Sequence, residues 1–129
     1  MSKKSRGTNA ERDLVHKFWG EGWACFRAAG SGSTQFPSPD IIAGNKIRKL
    51  AIEVKLTTEE KKYFTSEEIN GLEYFSEKFG AEPWVAVKFY RQEWVFLTVE
   101  DLQSSGKNFV VTKELSTRRG LSFEDLTNI

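Results

Sequence analysis

Cysteine and histidine are scarce in this sequence, which holds one residue of each, Cys25 and His16. A single cysteine excludes an internal disulfide bond and a cysteine-based zinc cluster, and it suits a reducing compartment. A lone histidine argues against a histidine-rich metal site and against a nucleophile–histidine pair. Any bound metal would therefore be held mainly by carboxylate oxygens, which favours Mg²⁺, with Mn²⁺ as a substitute.

Long apolar runs are missing as well. No segment approaches the roughly 20 apolar residues of a membrane span, and the Met-Ser-Lys-Lys start lacks the apolar core of a secretion signal. We therefore expect an intracellular, cytoplasmic protein without a membrane partner. The sequence also lacks a dinucleotide fingerprint, and the loop 30–38 lacks the lysine and spacing of a phosphate-binding loop. These absences disfavour both a dinucleotide-dependent enzyme and a nucleotide-binding enzyme with a phosphate-binding loop.

The composition is that of a folded domain, with 39% hydrophobic and 29% charged residues in a chain of 129. We expect one domain over residues 1–129, with residues 1–7 as a mobile basic arm. The net charge of +1 hides an asymmetry: residues 1–55 hold ten Lys and Arg against five Asp and Glu (+5), and residues 56–129 hold nine against thirteen (−4). The basic half modestly favours a polyanionic partner.

Helix and strand patterns follow one another and predict an α/β fold. One helix is predicted at about 9–19, and a second begins after a capping box formed by Thr65 and Glu68. We expect a central mixed β-sheet of about five strands flanked by α-helices. The strand-like segments are 23–29, 39–43, 51–55, 83–90, 93–99 and 108–112, and a helical turn is predicted at 122–126.

The hairpin over 39–55 carries charges where buried strands should be apolar. Asp40 opens its first strand, and Glu53 and Lys55 lie two apart in the second, so that they point to the same face. Charges on core-facing strands are costly unless they are paired or bound to a metal. Two carboxylates and the carbonyl of Val54 could hold a hard divalent cation, and the lysine could offset negative charge on a reacting phosphate. This pattern predicts a metal-dependent phosphodiesterase site.

Glu11 has two interpretations. With Thr8 it fits a capping box at the start of the first helix. It also shares the stripe of Leu14, Val15 and Phe18 that should face the core, where a carboxylate is unusual. On the residues alone, capping is favoured.

The loop 30–38 is small, polar and punctuated by Gly and Pro, and it leads directly into Asp40. It is a candidate lid that grips the substrate, with Ser31 or Ser33 contacting a phosphate. An ordinary connection between two strands explains the same composition equally well.

Asp40, Glu53 and Lys55 match the Pro-Asp…Glu-x-Lys signature of the restriction-endonuclease-like nuclease superfamily. More narrowly, the chain resembles the archaeal Holliday-junction resolvases over about residues 5–100. Besides a Lys/Arg-rich start, the segments that carry this resemblance are Gly7, Ala10-Glu11-Arg12, Arg27-Ala28-Ala29-Gly30-Ser31, Pro39-Asp40-Ile41-Ile42-Ala43-Gly44, Ile52-Glu53-Val54-Lys55 and Val85-Ala86-Val87-Lys88-Phe89.

The resemblance implies a restriction-endonuclease-like fold and a role for each matching residue. It makes Asp40 and Glu53 metal ligands and Lys55 the catalytic lysine, and it reverses the preference on Glu11, which becomes a third acid beside the metal. Ser31 matches a serine of a mobile loop, although the longer loop here leaves open which serine contacts DNA. The residues expected to contact DNA are Lys3, Lys4, Arg6, Arg12, Arg27 and Ser33.

The activity implied is Mg²⁺-dependent resolution of four-way DNA junctions in recombination and repair, by a homodimer that makes paired cuts in opposing strands. The helix with Phe75 and Phe79 resembles the segment near the family's dimer contact. Two alternatives stay open: a related nuclease that cuts other branched or duplex DNA, and a DNA-binding protein on the same fold without catalysis. The intact set of three acids and one lysine argues against the second.

Overall fold

The computed structural model describes residues 3–28 and 35–129, with the side chains of residues 3–5 excepted. No helix in this part of the chain is long and apolar enough to cross a membrane. The elements in chain order are α1 (Lys3–Gly20), β1 (Ala24–Arg27), β2 (Ile41–Gly44), β3 (Lys49–Thr57), β4 (Lys61–Phe64), α2 (Ser66–Phe79), β5 (Glu82–Phe89), β6 (Val95–Thr98), a 3₁₀ turn (Val99–Asp101), β7 (Gln103–Ser105), β8 (Asn108–Thr112), α3 (Lys113–Arg119) and α4 (Phe123–Thr127).

A five-stranded mixed sheet in the order β1-β2-β3-β5-β6 forms the centre of the fold. The predicted hairpin is present, because β2 pairs with β3 in antiparallel fashion with Ile41 opposite Ile52. β3 then pairs with β5 in parallel, with α2 in the connection between them. A parallel pair requires such a crossover, usually a helix. The predicted α/β class and five-stranded mixed sheet are confirmed.

The two faces of the sheet bury different cores. One core packs α1 and α4 on the sheet, through residues such as Leu14, Phe18 and Ile52. The other packs α2 and α3 on the opposite face, through residues such as Ile69 and Ala51. Because side chains alternate along a strand, β3 sends successive residues to the two cores.

The first helix begins earlier than predicted. Residues 3–7, assigned from the sequence to a mobile arm, form the first turns of α1, which starts at Lys3. Lys and Arg favour helices, and one interior glycine such as Gly7 costs only about 1 kcal/mol. Thr8 therefore lies inside the helix, and the interpretation of Glu11 as part of an N-terminal capping box is wrong. The capping box at Thr65 and Glu68 is confirmed.

A second sheet was not predicted. Residues 61–64, which are not among the strands predicted from the sequence, form β4, which pairs with β8 in a three-stranded sheet of order β4-β8-β7. The strand predicted at 108–112 is therefore present, but it does not extend the central sheet. The sequence of β4 does not show the alternation of apolar and polar residues that predicts a strand. Phe64 is its only fully buried side chain, and two of its four residues are lysines.

Candidate active site

The hairpin register places Asp40 opposite Glu53. Ile41 pairs with Ile52, and the Asp40 N–H donates to the Ile52 carbonyl, so the next pair outward is Asp40 and Glu53. The Asp40 carboxylate also accepts a hydrogen bond from the Val54 N–H, at 2.9 Å from Oδ2. Asp40 is thus fixed just before the start of β2, and its carboxylate is hydrogen-bonded to β3.

Burial and neighbouring charge dominate the electrostatics of Glu53. Its exposure is only 9%, and burial, followed by the negative charges of Asp40 and Glu68, raises its pKa to about 9. A buried carboxyl beside a second carboxyl retains a proton unless a cation replaces it. The pair is therefore arranged to bind either a proton or a cation.

Lys55 lies on the same side of β3 as Glu53, two residues along, as predicted from the period of the strand. Its Nζ forms an ion pair with Glu68 Oε2 at 2.6 Å, and both side chains are about one quarter exposed. The Lys55 ammonium also lies 5.8 Å from the centre of the Phe64 ring. Burial on its own would raise the pKa of Glu68, but hydrogen bonds from Lys55 and Thr65 outweigh it and hold that pKa below its ordinary value.

Glu11 lies on α1 and contacts Arg27 of β1. Its Oε1 accepts a hydrogen bond from Arg27 Nε at 3.0 Å, and the two side chains are 19% and 28% exposed. Arg27 follows Cys25 by two residues on β1, and Cys25 belongs to the α1 core. The pair therefore lies on the α1 side of the sheet. Burial raises the pKa of Glu11, the bond to Arg27 opposes this, and the charge of Asp40 raises it further.

The three predicted acids are only partly brought together. Within residues 3–28 and 35–129, no group of three His, Cys, Asp or Glu side chains is close enough to hold a metal ion. Asp40 and Glu53 share the α2 side of the sheet, whereas Glu11 is bound to Arg27 on the α1 side and interacts with Asp40 through charge. The oxygen donors of Asp40 and Glu53 suit a hard divalent cation.

The remaining predicted residues are more scattered. Arg6 and Arg12 are exposed on α1. Lys3 and Lys4 belong to the first turn of that helix. Ser31 and Ser33, and with them most of the predicted lid, lie outside the described residues.

Two contacts escaped the sequence interpretation. The capping role of Glu68 was predicted, but its second oxygen, which binds Lys55, was not. Likewise Glu11 and Arg27 were each singled out without being paired. The signal in both cases was opposite charge on neighbouring elements, which becomes specific only when the elements are placed.

The mixed sheet with acids and a lysine at one end of its central strands defines a restriction-endonuclease-like nuclease fold. The model of the family described as archaeal Holliday junction resolvase (Hjc) matches residues 2–129. The chain belongs to this family, and the resemblance noted from the sequence is confirmed.

Individual relatives agree with this assignment. The crossover junction endodeoxyribonuclease Hjc of Archaeoglobus fulgidus is 45% identical over 112 residues, which cover 87% of this chain and 82% of the relative. The enzyme of the same name from Methanocaldococcus jannaschii is 36% identical over 113 residues, covering 88% and 80%. The solved structure of A. fulgidus Hjc, a Holliday junction resolvase, superposes with a TM-score of 0.89 at 40% identity, covering 95% of this chain and all of the other.

Proposed function

We propose that this chain is a structure-specific endodeoxyribonuclease that resolves four-way DNA junctions by paired, Mg²⁺-dependent cuts in opposing strands. The observation that carries the proposal is the arrangement of Asp40, Glu53 and Lys55 on one side of the hairpin, in a chain of the resolvase family. Relatives named crossover junction endodeoxyribonucleases support the substrate class.

Each residue has a distinct role in the proposal. Asp40, Glu53 and the Val54 carbonyl hold Mg²⁺, with Glu11 as a third acid beside them. The ion, when bound, polarises the phosphate and lowers the pKa of an attacking water. Lys55 orients that water or stabilises the negative charge that grows on the phosphate in the transition state. Arg27 contacts only Oε1 of Glu11, and in the proposal the same guanidinium also contacts a DNA phosphate.

The DNA contacts in the proposal go to the backbone rather than to bases. Exposed Arg6 and Arg12 support this role, because guanidinium groups bind phosphates in bidentate fashion. Such contacts position the nucleic acid without reading its sequence. The full proposed set is Lys3, Lys4, Arg6, Arg12, Arg27 and Ser33, and Ser31 is proposed as a catalytic residue.

Paired cuts require two active sites, and we propose a homodimer. Phe75 and Phe79 lie one turn apart on α2, with their rings stacked at 5.2 Å. Phe79 is 46% exposed. Aromatic residues are enriched at the centres of protein–protein interfaces, which supports this surface as the dimer contact.

The test is cleavage of a synthetic four-way junction, with and without Mg²⁺, with the cut sites mapped on all four strands. We expect symmetric cuts in opposing strands that require the metal. The variant Asp40→Asn should keep the hydrogen bond from Val54 but lower the single-turnover rate at least about a hundredfold. Its junction affinity should change little, and Asp13→Asn on α1, an exposed acid, is the matched control.

A flap and a plain duplex of equal length complete the experiment. Equal cutting of all three substrates would contradict junction specificity in favour of a general nuclease. Binding without cutting under every divalent metal would contradict catalysis. Wild-type rates in Asp40→Asn would contradict the role given to Asp40.

A further inference from the structure

Glu68 uses its two carboxylate oxygens for two different donors. Oε1 accepts a hydrogen bond from the backbone N–H of Thr65 at 2.9 Å, and the Glu68 N–H in turn donates to Thr65 Oγ1 at 3.0 Å. Oε2 faces Lys55 Nζ at 2.6 Å. One side chain therefore closes the start of α2 and contacts the lysine of the candidate active site.

The capping box makes Glu68 a fixed point. Its backbone lies in the first turn of α2, and its side chain is held at one oxygen by the helix start. Ile69 and Leu72, which follow Glu68 on α2, are buried against the sheet. Their packing fixes the position of the helix relative to β3. Lys55, by contrast, has a flexible four-carbon stem that adopts many rotamers when it lacks a partner.

We propose that Glu68 is the positioning residue of Lys55: it holds the ammonium group beside Glu53 and aims its remaining protons at the substrate. This inference rests on the proposed nuclease function. An ammonium group has three N–H donors and no acceptor. Glu68 takes one of them, which leaves two for a phosphate oxygen or an attacking water.

The other neighbours of Lys55 do not supply this constraint. The face of Phe64 attracts the charge without fixing its direction, because a cation–π contact tolerates many orientations. Glu53 interacts with the ammonium group through charge, and a charge interaction of this kind has no preferred direction. Within the described part of the chain, the short bond to Glu68 is the contact that sets the direction of the Lys55 ammonium group.

Glu68→Gln separates the two tasks of this side chain. A capping box accepts Gln as well as Glu, so the single amide oxygen can keep the bond from Thr65 and preserve the helix start. It then presents an amide N–H₂ to Lys55 instead of an oxygen. Glu67→Gln is the matched control, because Glu67 is an exposed acid in the same first turn.

Single-turnover cleavage of a saturating four-way junction is the first readout. We expect Glu68→Gln to lower the rate about ten- to hundredfold with an unchanged junction dissociation constant, since misplacing a catalytic group affects the chemical step. Glu67→Gln should cut within about twofold of the wild type, because it removes a similar charge without touching Lys55. A wild-type rate in Glu68→Gln, or equal losses in both variants, would overturn the inference.

The second readout needs neither metal nor DNA. In protein with ¹⁵N-labelled lysines, the Lys55 ammonium should give a proton signal protected from exchange, assigned through its absence in Lys55→Met. Glu68→Gln should abolish that signal and Glu67→Gln should preserve it. A protected signal in Glu68→Gln would overturn the inference.

Failure of the proposed nuclease function and failure of the role given to Glu68 would give different results. Wild-type protein that cuts no junction contradicts the proposed function. A wild type that cuts while Glu68→Gln cuts equally well contradicts only the role of Glu68.

Discussion

At the scale of the residue, Glu53 is a buried carboxyl with a strongly raised pKa. It is a carboxyl on a central strand, nearly inaccessible to water, with Asp40 opposite it and Glu68 nearby. Its pKa of about 9 means that the metal-free protein keeps this carboxyl protonated at neutral pH. Cation binding must therefore displace a proton, which links metal affinity to pH.

The same shift predicts a pH dependence of stability. The pKa of Glu53 is higher in the folded than in the unfolded protein, so the folded state binds the extra proton between about pH 4.5 and pH 9. Stability of the metal-free protein should consequently fall as pH rises through this window. Glu53→Gln removes the penalty, and we expect it to be more stable than the wild type by about 5 kcal/mol at pH 8 and by little at pH 4.5. Urea unfolding with a chelator present, at a series of pH values, measures the difference.

Glu73→Gln is the control for this series, because Glu73 is an exposed acid on α2. Its stability should parallel that of the wild type at every pH. A Glu53→Gln curve that also runs parallel to the wild type would show that Glu53 is not protonated in the folded protein.

At the scale of the element, the turn between β2 and β3 must be held for the hairpin to keep its register. Arg48 in that turn binds Glu82 at the start of β5 in bidentate fashion, with N–O distances of 2.8 and 2.9 Å. It also donates to the carbonyls of Leu126 and Ile129 and lies over the ring of Trp23. One side chain thus joins the hairpin, the parallel strand and the C-terminal helix.

Arg48→Met should therefore destabilise the protein. Charged hydrogen bonds contribute about 1.5–3 kcal/mol where they are partly buried, and methionine preserves much of the apolar packing. We expect a loss of about 2 kcal/mol in the free energy of unfolding, measured by urea denaturation. Lys46→Met, an exposed residue of the same turn, should change stability by less than about 0.5 kcal/mol. Equal effects of the two substitutions would contradict the role of Arg48.

At the scale of the whole molecule, the proposed homodimer makes a separate prediction. Phe79→Lys places a charge at the proposed interface and should convert a dimer to a monomer, as measured by sedimentation equilibrium. The monomer should still nick junctions but lose simultaneous cuts in opposing strands. Tyr90→Lys, at an aromatic residue outside α2 that is 59% exposed, is the control and should remain dimeric. A dimeric Phe79→Lys variant would exclude this surface as the interface.

Several features of the fold and of the candidate site could be predicted from local sequence patterns. Alternation put Glu53 and Lys55 on one side of β3, turn residues placed the hairpin, and Thr65 with Glu68 marked the start of α2. These features depend on residues close together in the chain, so their physics is contained in short segments. The family resemblance added the third acid and the substrate class, which periodicity does not provide.

Tertiary structure decided the rest. It extended α1 back to Lys3, placed 108–112 in a second sheet, and paired Glu11 with Arg27. It also brought Glu68 to Lys55, a pair whose residues lie thirteen apart. The sequence by itself determined which side chains bear charge and which strand face they share. Only packing of the helices on the two faces of the sheet determined their partners, because an ion pair depends on distances that no local pattern contains.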